Sequence, residues 1–170
     1  MFLEGAPRLL DAGLSVPGLH TGDPLRIAVE AYPGYVARQI LRLPYKNDAV
    51  AKQTAAHRRA RAGLVAALAG ASGPFEFRLT GTYRLLDSLA QDATGDRLDA
   101  VFCAMQAAWA WQRRLENYGM PRKVDAVEGW IAMAGAGSPR RESRLADSAC
   151  AQGRTRPQPS PRGDRQRTFR

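Results

Sequence analysis

From Asp96 to about Leu115 the chain places Leu98, Phe102, Met105 and Trp109 at helical spacing. Such a stripe has one large apolar face that must be covered, so the segment predicts a long amphipathic helix packed within a domain. Each large side chain buried in the stripe contributes about 1.5–3 kcal/mol. Trp111 and Cys103 are expected in the same core. The helix opens at Gly95-Asp96-Arg97-Leu98-Asp99-Ala100, where two carboxylates at positions i and i+3 project from one face of the first turn. The unpaired N–H groups and partial positive charge of a helix N-terminus favour ionised acids there. Two like charges about 4 Å apart still repel by roughly 4 kcal/mol at an effective dielectric near 20, so a closely held pair needs a counter-cation or must splay into water. Asp96 and Asp99 are therefore candidates for holding a divalent metal. The competing reading makes Asp96 the helix cap and Asp99 an ordinary first-turn acid.

A third acid ends an apolar run. Leu25-Arg26-Ile27-Ala28-Val29-Glu30-Ala31-Tyr32 reads as a short buried strand stopped by Pro33-Gly34. Glu30 would then lie near the carboxyl end of a strand, where open α/β sheets place their ligands. A short helix is expected over 34–41, ended by Arg42-Leu43-Pro44. Asp48 can cap a longer helix from about Ala49 to Ala69, with Val50, Leu64, Val65 and Leu68 on its apolar side and Gly70 beyond its end. Arg58, Arg59 and Arg61 make its middle basic, and His57, with no His or Cys partner at metal spacing, reads as an exposed helix residue. After Gly73-Pro74, residues 75–79 alternate like a strand or bend into a helix over 82–90, with Leu85, Leu86 and Leu89 inward. Residues 127–133 read as a short strand or a packed closing segment, with Trp130 covering a sheet or helix edge.

Several short motifs recur here in a fixed order: Val29-Glu30-Ala31-Tyr32-Pro33-Gly34, Tyr45-Lys46-Asn47-Asp48, Gln53-Thr54 with Arg58 and Arg59, Asp96-Arg97-Leu98-Asp99-Ala100, and Glu128-Gly129-Trp130-Ile131. In that order, over roughly residues 1–133, the chain resembles the family called domain of unknown function 429, predicted nucleases with a ribonuclease H-like fold. The Asp96–Ala100 motif also looks like the last catalytic helix of the Holliday-junction resolvases of that superfamily. The resemblance implies a metal-dependent phosphodiesterase site with Glu30, Asp96 and Asp99 as catalytic residues, and Glu30 and Asp99 holding Mg²⁺ or Mn²⁺. It also implies that Lys46, Arg58, Arg59 and Arg61 approach a nucleic-acid backbone, DNA or RNA. Ribonuclease H-like folds begin with a strand carrying an essential aspartate, which has no counterpart here, since Asp11 and Asp23 lie in segments broken by Gly and Pro. The expected architecture is thus α/β and helix-rich, an N-terminally truncated ribonuclease H-like domain over 1–137. Residues 2–10 approach its middle as a helix or loop. An open sheet of this kind exposes an edge, which invites a homodimer.

The net charge of +9 is unevenly spread. Residues 138–170 carry nine arginines against three acids, with many Pro, Gly and Ser and few apolar residues, which predicts a disordered basic tail able to touch phosphate without sequence preference. Cys103 and Cys150 are the only cysteines, so neither a disulfide framework nor zinc spacing follows. No apolar run is long enough for a membrane span and no leader pattern opens the chain, so a soluble cytoplasmic protein without membrane partners is expected. No phosphate-cradling glycine loop or serine-nucleophile motif is present, which removes P-loop hydrolases and serine hydrolases. Two readings lead, with a purely structural helical domain as a third. One is a metal-dependent nuclease, inactive if the first strand is indispensable. The other is a non-catalytic remnant or nucleic-acid-binding module whose acids are structural.

Overall fold

In the computed structural model, which describes residues 2–125 and 129–133, the chain runs through α1 (Phe2–Asp11), β1 (Leu14–Ser15), β2 (Asp23–Ile27), α2 (Pro33–Ile40), α3 (Ala55–Ala69), α4 (Tyr83–Gln91) and α5 (Asp96–Gln112). A short 3-10 turn lies at Val50–Lys52, and Arg114–Gly119 is an irregular turn with Asn117 and Tyr118 in left-handed backbone. The architecture is helix-rich α/β. Its sheet, among the described residues, is a two-stranded parallel pair, β1 on β2, with an irregular register between Leu14 and Ser15. None of the described helices is long and apolar enough to cross a membrane. The expectations for the tail over 138–170, including Cys150, lie outside the described residues.

The core is built on α5. Leu98, Phe102, Met105 and Trp109 are all buried, as their spacing predicts. They meet Val36 and Ala37 of α2, Leu64, Val65 and Leu68 of α3, and Leu89 of α4 in one cluster. Trp111 departs from the expectation: it is 55% exposed, because two residues on from Trp109 is about 200° around the helix. Cys103 is half-buried.

Local chemistry explains most of the element bounds. Pro33 opens α2, where its missing N–H costs nothing. α3 begins later than expected, and its cap is Thr54 rather than Asp48. The Thr54 hydroxyl accepts from the His57 N–H, and the His57 ring accepts from the Thr54 N–H, so this histidine is a capping residue. The preceding residues are held as a turn, with the Asn47 side chain accepting from the Ala49 N–H and its carbonyl accepting from Gln53. Thr82 caps α4 by accepting from the Leu85 N–H. Leu89 of α4 is buried, but Leu85 faces solvent, a second departure from the expected inward set. Residues 75–79 take the bend rather than the strand, with Phe75 buried and the Leu79 N–H donating to the Leu68 carbonyl.

The largest correction concerns the segment ending at Glu30. The strand occupies Asp23–Ile27, stops short of Glu30 and is not buried; Leu25 is 89% exposed. Apolar, β-branched composition favours an extended backbone, but coverage needs a second layer, and β2 is paired only with the two-residue β1. Beyond it, Glu30 forms an isolated parallel bridge with Ile131, and its carbonyl accepts from the Ala132 N–H at 2.8 Å. The buried Gln106 of α5 completes this junction. Its amide donates to the Ala132 carbonyl at 2.8 Å, and its oxygen accepts from the Tyr32 N–H at 3.1 Å. Trp130 lies 6.3 Å from Trp109, ring to ring, so the described part of the closing segment covers an edge of α5.

Candidate functional site

The first turn of α5 faces a cleft of about 810 Å³ formed with α2 and the loop after it. Asp99 is its one acidic lining residue, and Arg38, Arg42 and Lys46 are its cations. Asp99 is fully engaged by that loop: the Tyr45 hydroxyl donates to one carboxylate oxygen at 2.6 Å and the Lys46 ammonium to the other at 2.5 Å. Lys46 also lies 3.7 Å from Asp96, whose side chain is 76% exposed. Lys46 thus matches the charge of Asp99, while Asp96 stands largely in water.

The electrostatics follow from this contact. Burial first, and the bond to Asp99 second, hold the Tyr45 phenol well above its ordinary value. The hydrogen bond to Asp99 holds the Lys46 ammonium above its ordinary value against the opposing effect of burial. Burial, with the Asp99 charge one turn earlier on α5, pushes the Cys103 thiol up, so it has no thiolate character for nucleophilic work at neutral pH.

The helix terminus is organised by residues other than the two acids. Gly95 occupies the cap position with φ +75°, and a Cβ there would lie 3.0 Å from the Lys46 chain, so glycine serves both the left-handed backbone and the close passage of Lys46. The carboxylate that accepts from the first turn is Asp92, which takes the Arg97 N–H at 2.9 Å. Burial works against the charge of Asp92, but that N–H together with the N–H and hydroxyl of Thr94 holds its carboxyl below the usual range. Asp96, weighed as a cap from the sequence, makes no side-chain cap bond.

The remaining sequence-predicted residues separate. Asp96, Asp99 and Lys46 come together. Glu30 is exposed and does not line the cleft; its backbone is tied near Gln106, two turns further along α5 than Asp99, an axial offset of about 10 Å. Arg58 and Arg59 lie on the solvent face of α3. Arg61 is 3% exposed and serves the interior: its guanidinium donates to the carbonyls of Ala90 at 3.0 Å and Tyr45 at 2.7 Å, and more weakly to the Gln53 side chain at 3.4 Å. Burial pushes it below its ordinary value. By holding the Tyr45 carbonyl, Arg61 also fixes the residue that clasps Asp99.

As placed, these residues do not suit a shared metal ion. Both Asp99 oxygens are taken, Glu30 is elsewhere, and among the described residues no group of three His, Cys, Asp or Glu side chains could hold an ion. Sequence reasoning missed Arg38 and Arg42. The available signal was two arginines four residues apart around the end of the segment that follows Pro33-Gly34. Neither has an ion-pair partner among the described residues; the Arg38 guanidinium lies over the Tyr32 ring, 5.3 Å from its centre. No protein-family model, curated protein or solved structure matches the chain.

Proposed function

We propose that the cleft binds the phosphate backbone of a nucleic acid as a non-catalytic module of nuclease-like ancestry. The charge balance of its wall carries this reading. Asp99 is matched by Lys46 and Tyr45, which leaves the Arg38 and Arg42 guanidinium groups uncompensated on one concave surface. Guanidinium groups match phosphate oxygens with paired donors. Binding of a labelled oligonucleotide should weaken steeply with salt and need no divalent ion. Arg38→Ala with Arg42→Ala should reduce it, whereas a loss confined to Arg58→Ala with Arg59→Ala would move the site to α3.

Metal-dependent phosphodiester hydrolysis in a ribonuclease H-like domain is the second reading. It is supported by the ordered motifs and by the fact that Asp96 and Asp99 share one cation. Calorimetry with Mg²⁺ and Mn²⁺ separates the two. Saturable binding by the wild type that disappears in Asp99→Asn and Glu30→Gln would replace the module reading with the nuclease one. A homodimer through the edge of the β1–β2 sheet is a further proposal from the sequence, and a concentration-independent monomer in sedimentation would sink it.

A further inference from the structure

We infer that the cleft accepts an unpaired nucleotide, with its base against Tyr32 and its phosphate on Arg42 and Arg38, so that single strands are preferred to duplex. This rests on the phosphate-binding reading and adds the form of the ligand. Charge alone would suit any polyanion, but the wall between the cations is aromatic and aliphatic, with Tyr32, Tyr35, Leu41 and Leu43 among its residues. Tyr32, the residue preceding α2, is 45% exposed. Its N–H is fixed by the buried Gln106, and Arg38 lies over the ring. Gly34 leaves room for that pair, since a Cβ there would stand 3.3 Å from the Tyr32 ring and 3.4 Å from the Arg38 guanidinium. A tyrosine held in place at the mouth of a cleft, beside unpaired guanidinium groups, combines the two elements that single-strand binders use: a stacking platform and a backbone cation. The concavity, about 810 Å³, is open to solvent and has room for a single small ligand group. A base within a duplex is already stacked and paired, and so has no free face to offer Tyr32.

The test is fluorescence anisotropy on the full chain with labelled oligo-dT, the matching duplex and inorganic polyphosphate as probes, at two salt concentrations. Single strands should bind at least ~5-fold tighter than the duplex. Tyr32→Ala should weaken single-strand binding by ~5-fold or more, the effect of losing about 1 kcal/mol of base stacking, and by more than it weakens polyphosphate binding. Equal affinity for all three probes with no effect of Tyr32→Ala would overturn the inference while leaving phosphate binding intact. Binding that is insensitive to Arg38→Ala and Arg42→Ala would overturn both. Tyr32→Phe keeps the ring and should bind as the wild type does; loss of binding in that variant would show that the hydroxyl, not the stacking face, is used.

Discussion

Replacing Arg61 with Met tests whether this arginine belongs to the interior or to a ligand surface. Its guanidinium makes two well-formed bonds to carbonyl oxygens, of Ala90 and of Tyr45, and one weak bond to Gln53. A hydrogen bond from a charged donor contributes about 1.5–3 kcal/mol, so two of them contribute roughly 3–6 kcal/mol. Part of this is returned, because Met fills the space with flexible apolar atoms and removes a charge that burial disfavours. The net expectation is a loss of about 2–4 kcal/mol, chiefly from the two carbonyls left without a donor. Urea denaturation of the full chain should show the midpoint falling with little change in slope, and the melting temperature should drop by roughly 5–15 °C. Arg58→Met, on the exposed face of the same helix, should stay within about 0.5 kcal/mol of wild type. Arg61→Lys should not rescue, since one ammonium cannot reproduce the fork that reaches both carbonyls. If Arg61→Met were as stable as Arg58→Met, the interior role would be refuted.

Three further outcomes follow from the same geometry. Lys46 and Tyr45 both bind their protons more tightly in the folded state, so their contribution is fully present below about pH 10, the lower of their ordinary values, and is lost as pH rises further. Wild type should therefore lose stability above pH 10 more steeply than Lys46→Met with Tyr45→Phe, and parallel curves would contradict the assignment. Gln106→Leu leaves the Tyr32 N–H and the Ala132 carbonyl unpaired and should destabilise by about 2–4 kcal/mol in chemical denaturation. A change below about 0.5 kcal/mol would show that the junction does not depend on the amide. Gly119→Ala adds a Cβ 2.5 Å from the Trp109 ring at a backbone φ of +75°, and should cost at least about 2 kcal/mol while altering the near-ultraviolet dichroism of the tryptophans. An unchanged spectrum would argue against that packing.

The core helix was legible because four large residues at one helical spacing admit few other arrangements, and Leu98, Phe102, Met105 and Trp109 are all buried. α2 was legible for a different reason: Pro33-Gly34 and Leu43-Pro44 constrain the backbone whatever packs on it. What failed depended on neighbours distant in sequence. Nothing within residues 25–30 says whether a second layer covers them, so Leu25 was placed inside and Glu30 on a strand end. Asp48 and Thr54 are equally good caps in isolation, and the turn held by Asn47 decides between them. Arg61 is the instructive case. It stands three, four and seven residues from Leu64, Val65 and Leu68, on the apolar stripe of α3, so the helical wheel already separated it from Arg58. Repulsion within the Asp96–Asp99 pair is legible as calling for a counter-cation or for an acid splayed into water, but which acid takes which course depends on Lys46, from a loop about fifty residues earlier.

The junction at Glu30, Gln106 and Ile131 also bears on the order in which the chain assembles. Pairing residue 30 with residue 131 closes a loop of about 100 residues, an entropic cost of about 4 kcal/mol before any contact repays it. The hairpin of α3 and α4 and its docking on α5 involve much shorter closures and should form first. Until the residues around Ile131 arrive, the Gln106 amide N–H lacks its acceptor on Ala132 and Trp109 is open on the side that Trp130 covers. The closing segment therefore acts as a late latch in the folding reaction. Truncation of Met133, a buried core residue of that segment, should accelerate unfolding and leave the refolding rate nearly unchanged, the kinetic mark of a contact absent from the transition state.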